Sequence, residues 1–208
     1  MMASGSNLHL ALCVMLLSIP ALHTYVILDA RQASSWRLGQ VSEFSWSKCD
    51  DLPHPGNIKS LSVNPDPIPV PGDVNVAVVA STSIDLESPL TLTLALEKLF
   101  LGAWIKVPCV DNLGSCTYDV CDTLDKLFPV GQQCPEPLHT YGIPCHCPFK
   151  AGTYSVPSSA FYIPDVPLPS WLESGTYRVK GTLSNAQGEV GCANIQLSLT
   201  SPSHSWWK

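Results

Sequence analysis

The sequence predicts an all-β fold, an antiparallel β-sandwich or β-cup with one short helix, on three observations. Short apolar stretches alternate with a period of two residues, the signature of half-buried strands. Nineteen prolines and 13 glycines punctuate them, which favours many short strands over long helices. Nine cysteines are present, of which only Cys13 lies in an apolar leader. The remaining eight form an even set, suited to four disulfides in a secreted or lumenal chain.

The elements follow in order. Residues 8–30 are apolar but interrupted by Pro20 and His23. They fall short of the ~20 unbroken apolar residues that a membrane span needs. Residues 1–30 are therefore expected to be a signal peptide, cleaved after residue 24 or 30. Residues 31–48 are polar with scattered aromatics and read as an irregular N-terminal segment. The folded domain is expected over residues 49–200, with a flexible tail over 201–208.

Within the domain, residues 58–63 (IKSLSV) and 74–79 (VNVAVV) read as strands. Between them Pro65, Pro67, Pro69 and Pro71 forbid a helix and predict an extended edge connection. Residues 90–96 (LTLTLAL) alternate strictly, with Leu90, Leu92, Leu94 and Leu96 on one face and Thr91, Thr93 and Ala95 on the other. Residues 104–107 form another short strand, and 117–128 (TYDVCDTLDKLF) the helix. Residues 152–157 and 161–164 read as two short strands set off by prolines. The last pair, 177–183 and 193–199, is joined by a turn near 185–188.

Composition narrows the function. Only 13% of residues are charged while 45% are hydrophobic, which points to apolar surface or an apolar cavity. The net charge of −6 argues against nucleic acid as a partner. His54, His139, His146 and His204 lie beyond the leader, and histidine is the side chain that gains charge as a compartment acidifies.

No motif asks for an enzyme or a bound metal. Asp119, Asp122 and Asp125 recur every third residue and resemble a carboxylate set, but a solvated helix face explains them more simply. Cys145-His146-Cys147, with Cys134 and Cys121 nearby, has zinc-ligand chemistry, yet no C-x-x-C knuckle is present and disulfides are the plainer reading. There is no G-x-S-x-G elbow, H-E-x-x-H pair, phosphate loop or dinucleotide fingerprint. No catalytic residue, metal or cofactor is assigned.

Residues 99–105 (LFLGAWI) stand out instead. They follow a charged pair, Glu97-Lys98, and an alternating strand, where a hairpin turn should be polar. One reading is a buried strand running through a bulge at Gly102. The other is an exposed apolar loop that dips into lipid or lines a ligand mouth. Ser170-Trp171-Leu172, after a proline-broken stretch, is a second candidate for that role.

Several segments together identify a family resemblance. They include FSWSKCD at 44–50, PDPIPVPGDV at 65–74, STSIDLESPL at 81–90 and LEKLFLGAWIKVPC at 96–109. GSCTYDVCDTLD at 114–125, CPEPLHTYGIPCHCPFKAGTYSVP at 134–157 and PSWLESGTYRV at 169–179 complete the set. With all eight domain cysteines in place, the chain resembles the ganglioside-handling branch of the MD-2-related lipid-recognition (ML) domain family. The resemblance implies a β-cup around a central apolar cavity. It also implies the disulfides Cys49–Cys192, Cys109–Cys116, Cys121–Cys147 and Cys134–Cys145.

The implied function is a non-enzymatic lipid-binding and transfer cofactor of the lysosome lumen, also secreted. It would extract GM2-type gangliosides, and other glycolipids or phospholipids, from an anionic lysosomal membrane and present them to β-hexosaminidase A. Exposing acyl chains to water costs ~0.8 kcal/mol per CH₂, so a dry cup has to receive them. On the resemblance, Leu99, Phe100, Leu101, Trp104 and Ile105 form a membrane-touching loop, with Trp171 and Leu172 on the opposing rim. Leu92, Leu94, Ile195 and Leu197 are the implied cavity lining. The alternative is a secreted lipid carrier or sensor that acts through a receptor. Two departures from the family pattern stand out. No N-x-S/T sequon occurs, and residues 201–208, with Trp206 and Trp207, run past the usual end.

Overall fold

The computed structural model describes residues 44–165 and 169–201. The expected leader, residues 31–43 and the tail from 202, with Trp206 and Trp207, lie outside the described residues. The chain enters as β1 (Ser45–Lys48), β2 (Gly56–Asn64), β3 (Ile68–Pro69), β4 (Gly72–Thr82), β5 (Leu90–Phe100) and β6 (Ala103–Lys106). It continues as β7 (Thr117–Asp119), the helix α1 (Val120–Leu127), β8 (Gly152–Ile163), β9 (Gly175–Asn185) and β10 (Gly188–Thr200). A single 3₁₀ turn, Ser170–Leu172, precedes β9.

Two sheets result. The larger runs β1-β10-β9-β5-β6, with β7 also paired to β5 and β3 to β10; the smaller is β2-β4-β8. Pairing is antiparallel except between β3 and β10, where Ile68 and Pro69 run beside Leu199 and Thr200. That pairing is the structural use of the proline-rich connection, because an edge segment can spare the N–H groups that proline lacks.

The sheets approach closely where β2 begins against β10. A Cβ on Gly191 would lie 2.7 Å from the Gly56 carbonyl oxygen, so only a glycine permits the contact. Beside it, Cys49–Cys192 joins residues 143 apart in sequence. Closing so long a loop stabilises the fold by about 5 kcal/mol in chain entropy. The other bridges are Cys109–Cys116, Cys121–Cys147 and Cys134–Cys145, the pairs the resemblance implies. With both its cysteines oxidised, Cys145-His146-Cys147 offers no thiolates, and the zinc reading is closed.

Three elements differ from the sequence expectation. The expected irregular segment ends in a strand, because residues 45–48 alternate and pair with Ala193–Gln196. The two short strands around residue 160 are one, β8. Its Pro157 sits where the register against β4 breaks, and β8 is an edge strand. The expected helix starts three residues late, since residues 117–119 pair with Thr91–Thr93 of β5. Asp119 then caps the helix, its Oδ1 accepting the Asp122 N–H at 2.9 Å. Asp122 pairs with Lys126 at 2.6 Å and Asp125 with His146 at 2.8 Å, so all three aspartates have structural roles.

Candidate functional site

Alternation along β5, β9 and β10, interrupted in β10 by an irregularity between Glu189 and Gly191, turns one face of the large sheet toward the small one. Two apolar clusters form on that side. One gathers Leu86, Leu90, Cys121 and Val190, with Phe149 and Leu183 packed against it. The other gathers Val107, Leu172 and Tyr177, with Leu96, Leu197 and Leu199.

A cavity of about 830 Å³ adjoins the first cluster. Leu90, Leu92, Leu94, Val179, Gly181, Ala193 and Ile195 of the large sheet line it, facing Ile58, Ala80, Thr82 and Tyr154 of the small one. Its volume lies in the ~300–1,000 Å³ range of small-ligand pockets. The register explains the space. Leu94 pairs with Gly181, which pairs in turn with Ala193, so two of three neighbouring inward positions carry almost no side chain. Leu197, expected in the lining with Leu92, Leu94 and Ile195, instead packs in the second cluster. It lies one full period nearer Tyr177, where the space is filled.

The border of the cavity is polar. The β1–β2 loop brings Asp50, Asp51 and His54 to it, with an exposed Leu52 between them. His54 Nε2 lies 3.0 Å from Asp50 Oδ1 and 3.5 Å from Glu189 Oε1. The Leu52 N–H and then His54 hold the Asp50 carboxyl below its ordinary range. Asp50, His54 and Glu189 bring three ligand-type atoms within 4.8 Å of one another, but two of the three residues are exposed and the His54–Asp50 hydrogen bond accounts for the arrangement.

The apolar run 99–105 is a hairpin tip, and the bulged buried strand is excluded. Leu101 and Gly102 form a two-residue turn with φ of 48° and 82°. Paired positive φ values suit the right-handed twist of a hairpin, but leucine rarely adopts them. Leu101 is 92% exposed and Phe100 61%. Trp104 is not at the tip. It pairs with Leu99, and the Arg178 guanidinium stacks 4.5 Å from its ring centroid while also pairing with Glu97. Leu99 and Ile105 are exposed at the flanks.

On the rim turn, Trp171 is exposed and Leu172 is not. The expectation that both present outward fails because the 3₁₀ turn points Leu172 into the second cluster, against Val107 and Tyr177. The Tyr177 hydroxyl donates to the Leu172 carbonyl at 2.7 Å, and burial pushes that phenol up to about 12. Lys98 donates to the carbonyls of Trp171 and Ser174.

Sequence reasoning missed Gly181, Ala193 and Phe149 as lining and Lys98 as a link. The first two had a signal, small residues at inward positions of alternating strands. Phe149 had none, since its place depends on an isolated backbone pairing with Leu86, between two connecting segments outside the strands. On the outer face of the large sheet, a second groove of about 730 Å³ carries Lys106, Arg178 and Lys180. Among the described residues, no helix is long and apolar enough to cross a membrane.

Comparison with known proteins places this geometry. The ML domain family profile matches residues 43–199. Ganglioside GM2 activator of Mus musculus is 52% identical over 164 residues, covering 78% of this chain and 85% of that protein. Ganglioside GM2 activator of Macaca fascicularis is 51% identical over 185 residues, covering 88% and 97%. Among solved structures, a Niemann-Pick type C2 protein from the Japanese carpenter ant overlays with a TM-score of 0.38 at 12% identity, covering 75% of this chain and 99% of that one, a likeness too loose to carry weight. On the profile match and the identity to these relatives, the chain belongs to the ML domain family.

Proposed function

We propose that this protein is a non-catalytic cofactor that lifts a ganglioside of the GM2 type out of a membrane, holds its lipid tails in the cavity between the sheets, and presents its sugar to β-hexosaminidase A. The observation that carries the reading is the pairing of an apolar cavity with apolar residues held out in water. Leu101, at 92% exposure in a backbone conformation leucine disfavours, costs stability and contributes none to the core. A membrane supplies the missing partner. The high identity to ganglioside GM2 activators supports the choice of lipid.

The chemistry asks for no reaction by the protein. Lipid tails leave one apolar phase and enter another, so the free-energy cost of exposing them to water arises only in transit. The sugar stays outside, at the polar border of Asp50, Asp51 and His54. An anionic lysosomal membrane is the matching surface, and Lys106, Arg178 and Lys180 lie on the sheet face next to the hairpin. Residues 1–30 would deliver the chain to the secretory route as a cleaved leader, giving a lysosomal and a secreted pool. The sequence offers no N-x-S/T acceptor for an N-glycan-dependent step in that delivery.

The test is sugar release by β-hexosaminidase A from ganglioside-bearing liposomes at acidic pH, with and without the protein. Ala193→Phe places a large side chain in the cavity, and Leu101→Ser removes the tip. Wild-type protein should stimulate release, and each variant should lose most of that stimulation. If lipid still moves between liposomes but release is not stimulated, the protein is a carrier and the hexosaminidase partnership is wrong.

A further inference from the structure

The two exposed apolar segments, Phe100–Leu101 on the hairpin and Trp171 on the rim turn, come from distant parts of the chain. One side chain reaches across 73 residues of sequence to connect them. Lys98 lies two residues before Phe100 on β5, opposite Tyr177 of β9. Its Nζ donates to the Trp171 carbonyl and, at 2.7 Å, to the Ser174 carbonyl. The ammonium also stands 5.4 Å from the centroid of the Tyr177 ring.

The surroundings are shaped for this lysine. A Cβ on Gly175, whose φ is +134°, would lie 2.8 Å from Lys98 Cε, so the bare glycine clears a channel for the stem. The acceptors are carbonyls at the end of a short helical turn, groups such a turn cannot satisfy internally. Burial lowers the lysine's pKa, so the position costs something to maintain. Among the described residues this ammonium bonds carbonyls and no carboxylate, which distinguishes it from Lys126 and Lys150, each paired with an aspartate. A surface lysine in search of a counter-ion would not be placed this way.

We infer that Lys98 is a positioning residue that fastens the Trp171 turn to the hairpin strand, so that Phe100, Leu101 and Trp171 meet a membrane as one apolar rim. The inference rests on the membrane-extracting function proposed above. Its physical content is preorganisation. A turn that must be ordered at the moment of insertion subtracts that ordering cost from its binding, and a turn already tied down does not. Lys98 does not line the cavity, so its action on lipid capture would run through the rim alone.

The experiment uses the full mature chain with Lys98→Met, which keeps the apolar stem and removes the donors. Lys98→Gln, which keeps a shorter donor, is the second variant should the first fold poorly. Amide hydrogen exchange is followed over residues 169–174. Partitioning is measured on vesicles of phosphatidylcholine and phosphatidylglycerol, and cavity occupancy with a monomeric fluorescent fatty acid. The expected result for Lys98→Met is faster exchange at the Leu172 amide and vesicle binding weaker by about tenfold, the factor that corresponds to roughly one charge-assisted hydrogen bond. Fatty-acid binding should stay unchanged, which a general loss of structure would not allow. Lys98→Gln should fall between the two.

Unchanged exchange over residues 169–174 would overturn the tie itself. Faster exchange with unchanged vesicle binding would overturn its role in membrane contact. A wild-type protein that does not partition at all, or partitions as well with Leu101→Ser, would instead overturn the membrane reading, and the exchange data would still judge the tie.

Discussion

The two ends of β5 obey the same alternation and meet opposite fates. At one end Leu90 is 1% exposed, enclosed by Leu86, Cys121 and Val190. At the other, Phe100 and Leu101 stand 61% and 92% exposed. The residues are alike in chemistry, and one continuous strand carries Leu90 and Phe100. What differs is the covering layer. Helix α1 and the Phe149 segment cover the first end, while the second projects past the cluster around Tyr177 as a bare hairpin. An apolar residue stabilises a fold only when another part of the chain removes it from water. Leucines placed where the chain offers no cover await another partner.

The largest expected effect tests the covered end. Leu90→Ala removes most of a buried side chain at the covered end of the cavity, packed against Leu86, Cys121 and Val190, and should destabilise the protein by about 3 kcal/mol, as buried leucines do. Chemical denaturation would measure it. A loss under 1 kcal/mol would mean that the end near Leu90 is as open as the rest of the cavity, and the contrast along β5 would fail.

A smaller effect sharpens what holds the cover in place. Asp85 accepts from Lys150 Nζ and from the Ala151 N–H, both at 2.8 Å, next to the backbone pairing of Leu86 with Phe149. The Lys150 ammonium, then that N–H, hold its carboxyl below the ordinary value. A carboxylate whose folded pKa is depressed stabilises the fold above its unfolded pKa of ~3.9, and that contribution is lost as pH falls through the folded value. Asp85→Asn should therefore lower the melting temperature slightly at pH 5 to 7, with the gap to wild type closing as the pH drops below about 4. Glu97, held low by Arg178, follows the same rule. A gap that widened on acidification would mean Asp85 is protonated in the folded state, and the bonds to Lys150 and Ala151 would be wrongly assigned.

The contrast along β5 also explains what was legible in the sequence. Alternation at residues 90–96 is legible because it is local: it separates Leu90, Leu92, Leu94 and Leu96 from Thr91, Thr93 and Ala95, without saying which face turns inward. The cover on each face depends on chain far away in sequence. Leu172 and Leu197 were therefore misplaced, since only the fold shows that Val107 and Tyr177 reach them first. Pro157 concealed the continuity of β8 because the bulge that tolerates it depends on the partner strand. The resemblance puts Trp104 in the same loop as Phe100 and Leu101, but its stacking on Arg178 depends on a cross-strand pairing that no spacing rule anticipates. Phe100 and Leu101 were easier, because an apolar turn needs no partner to be conspicuous.

The smallest expected effect on stability carries the sharpest test of the bare end, because its sign is reversed. Leu101 holds φ at 48°, where asparagine is more at home than leucine, and its side chain makes no core contact to lose. Leu101→Asn should raise stability by a few tenths of a kcal/mol, up to about 1, by relieving that backbone cost. The same change removes the most exposed apolar side chain of the tip, so binding to phospholipid vesicles should weaken. Gain in one assay and loss in the other is the pattern expected where a residue is kept for function against the interest of the fold. If Leu101→Asn instead destabilised the protein, the tip would be packed in solution and the exposed end of β5 would be covered after all.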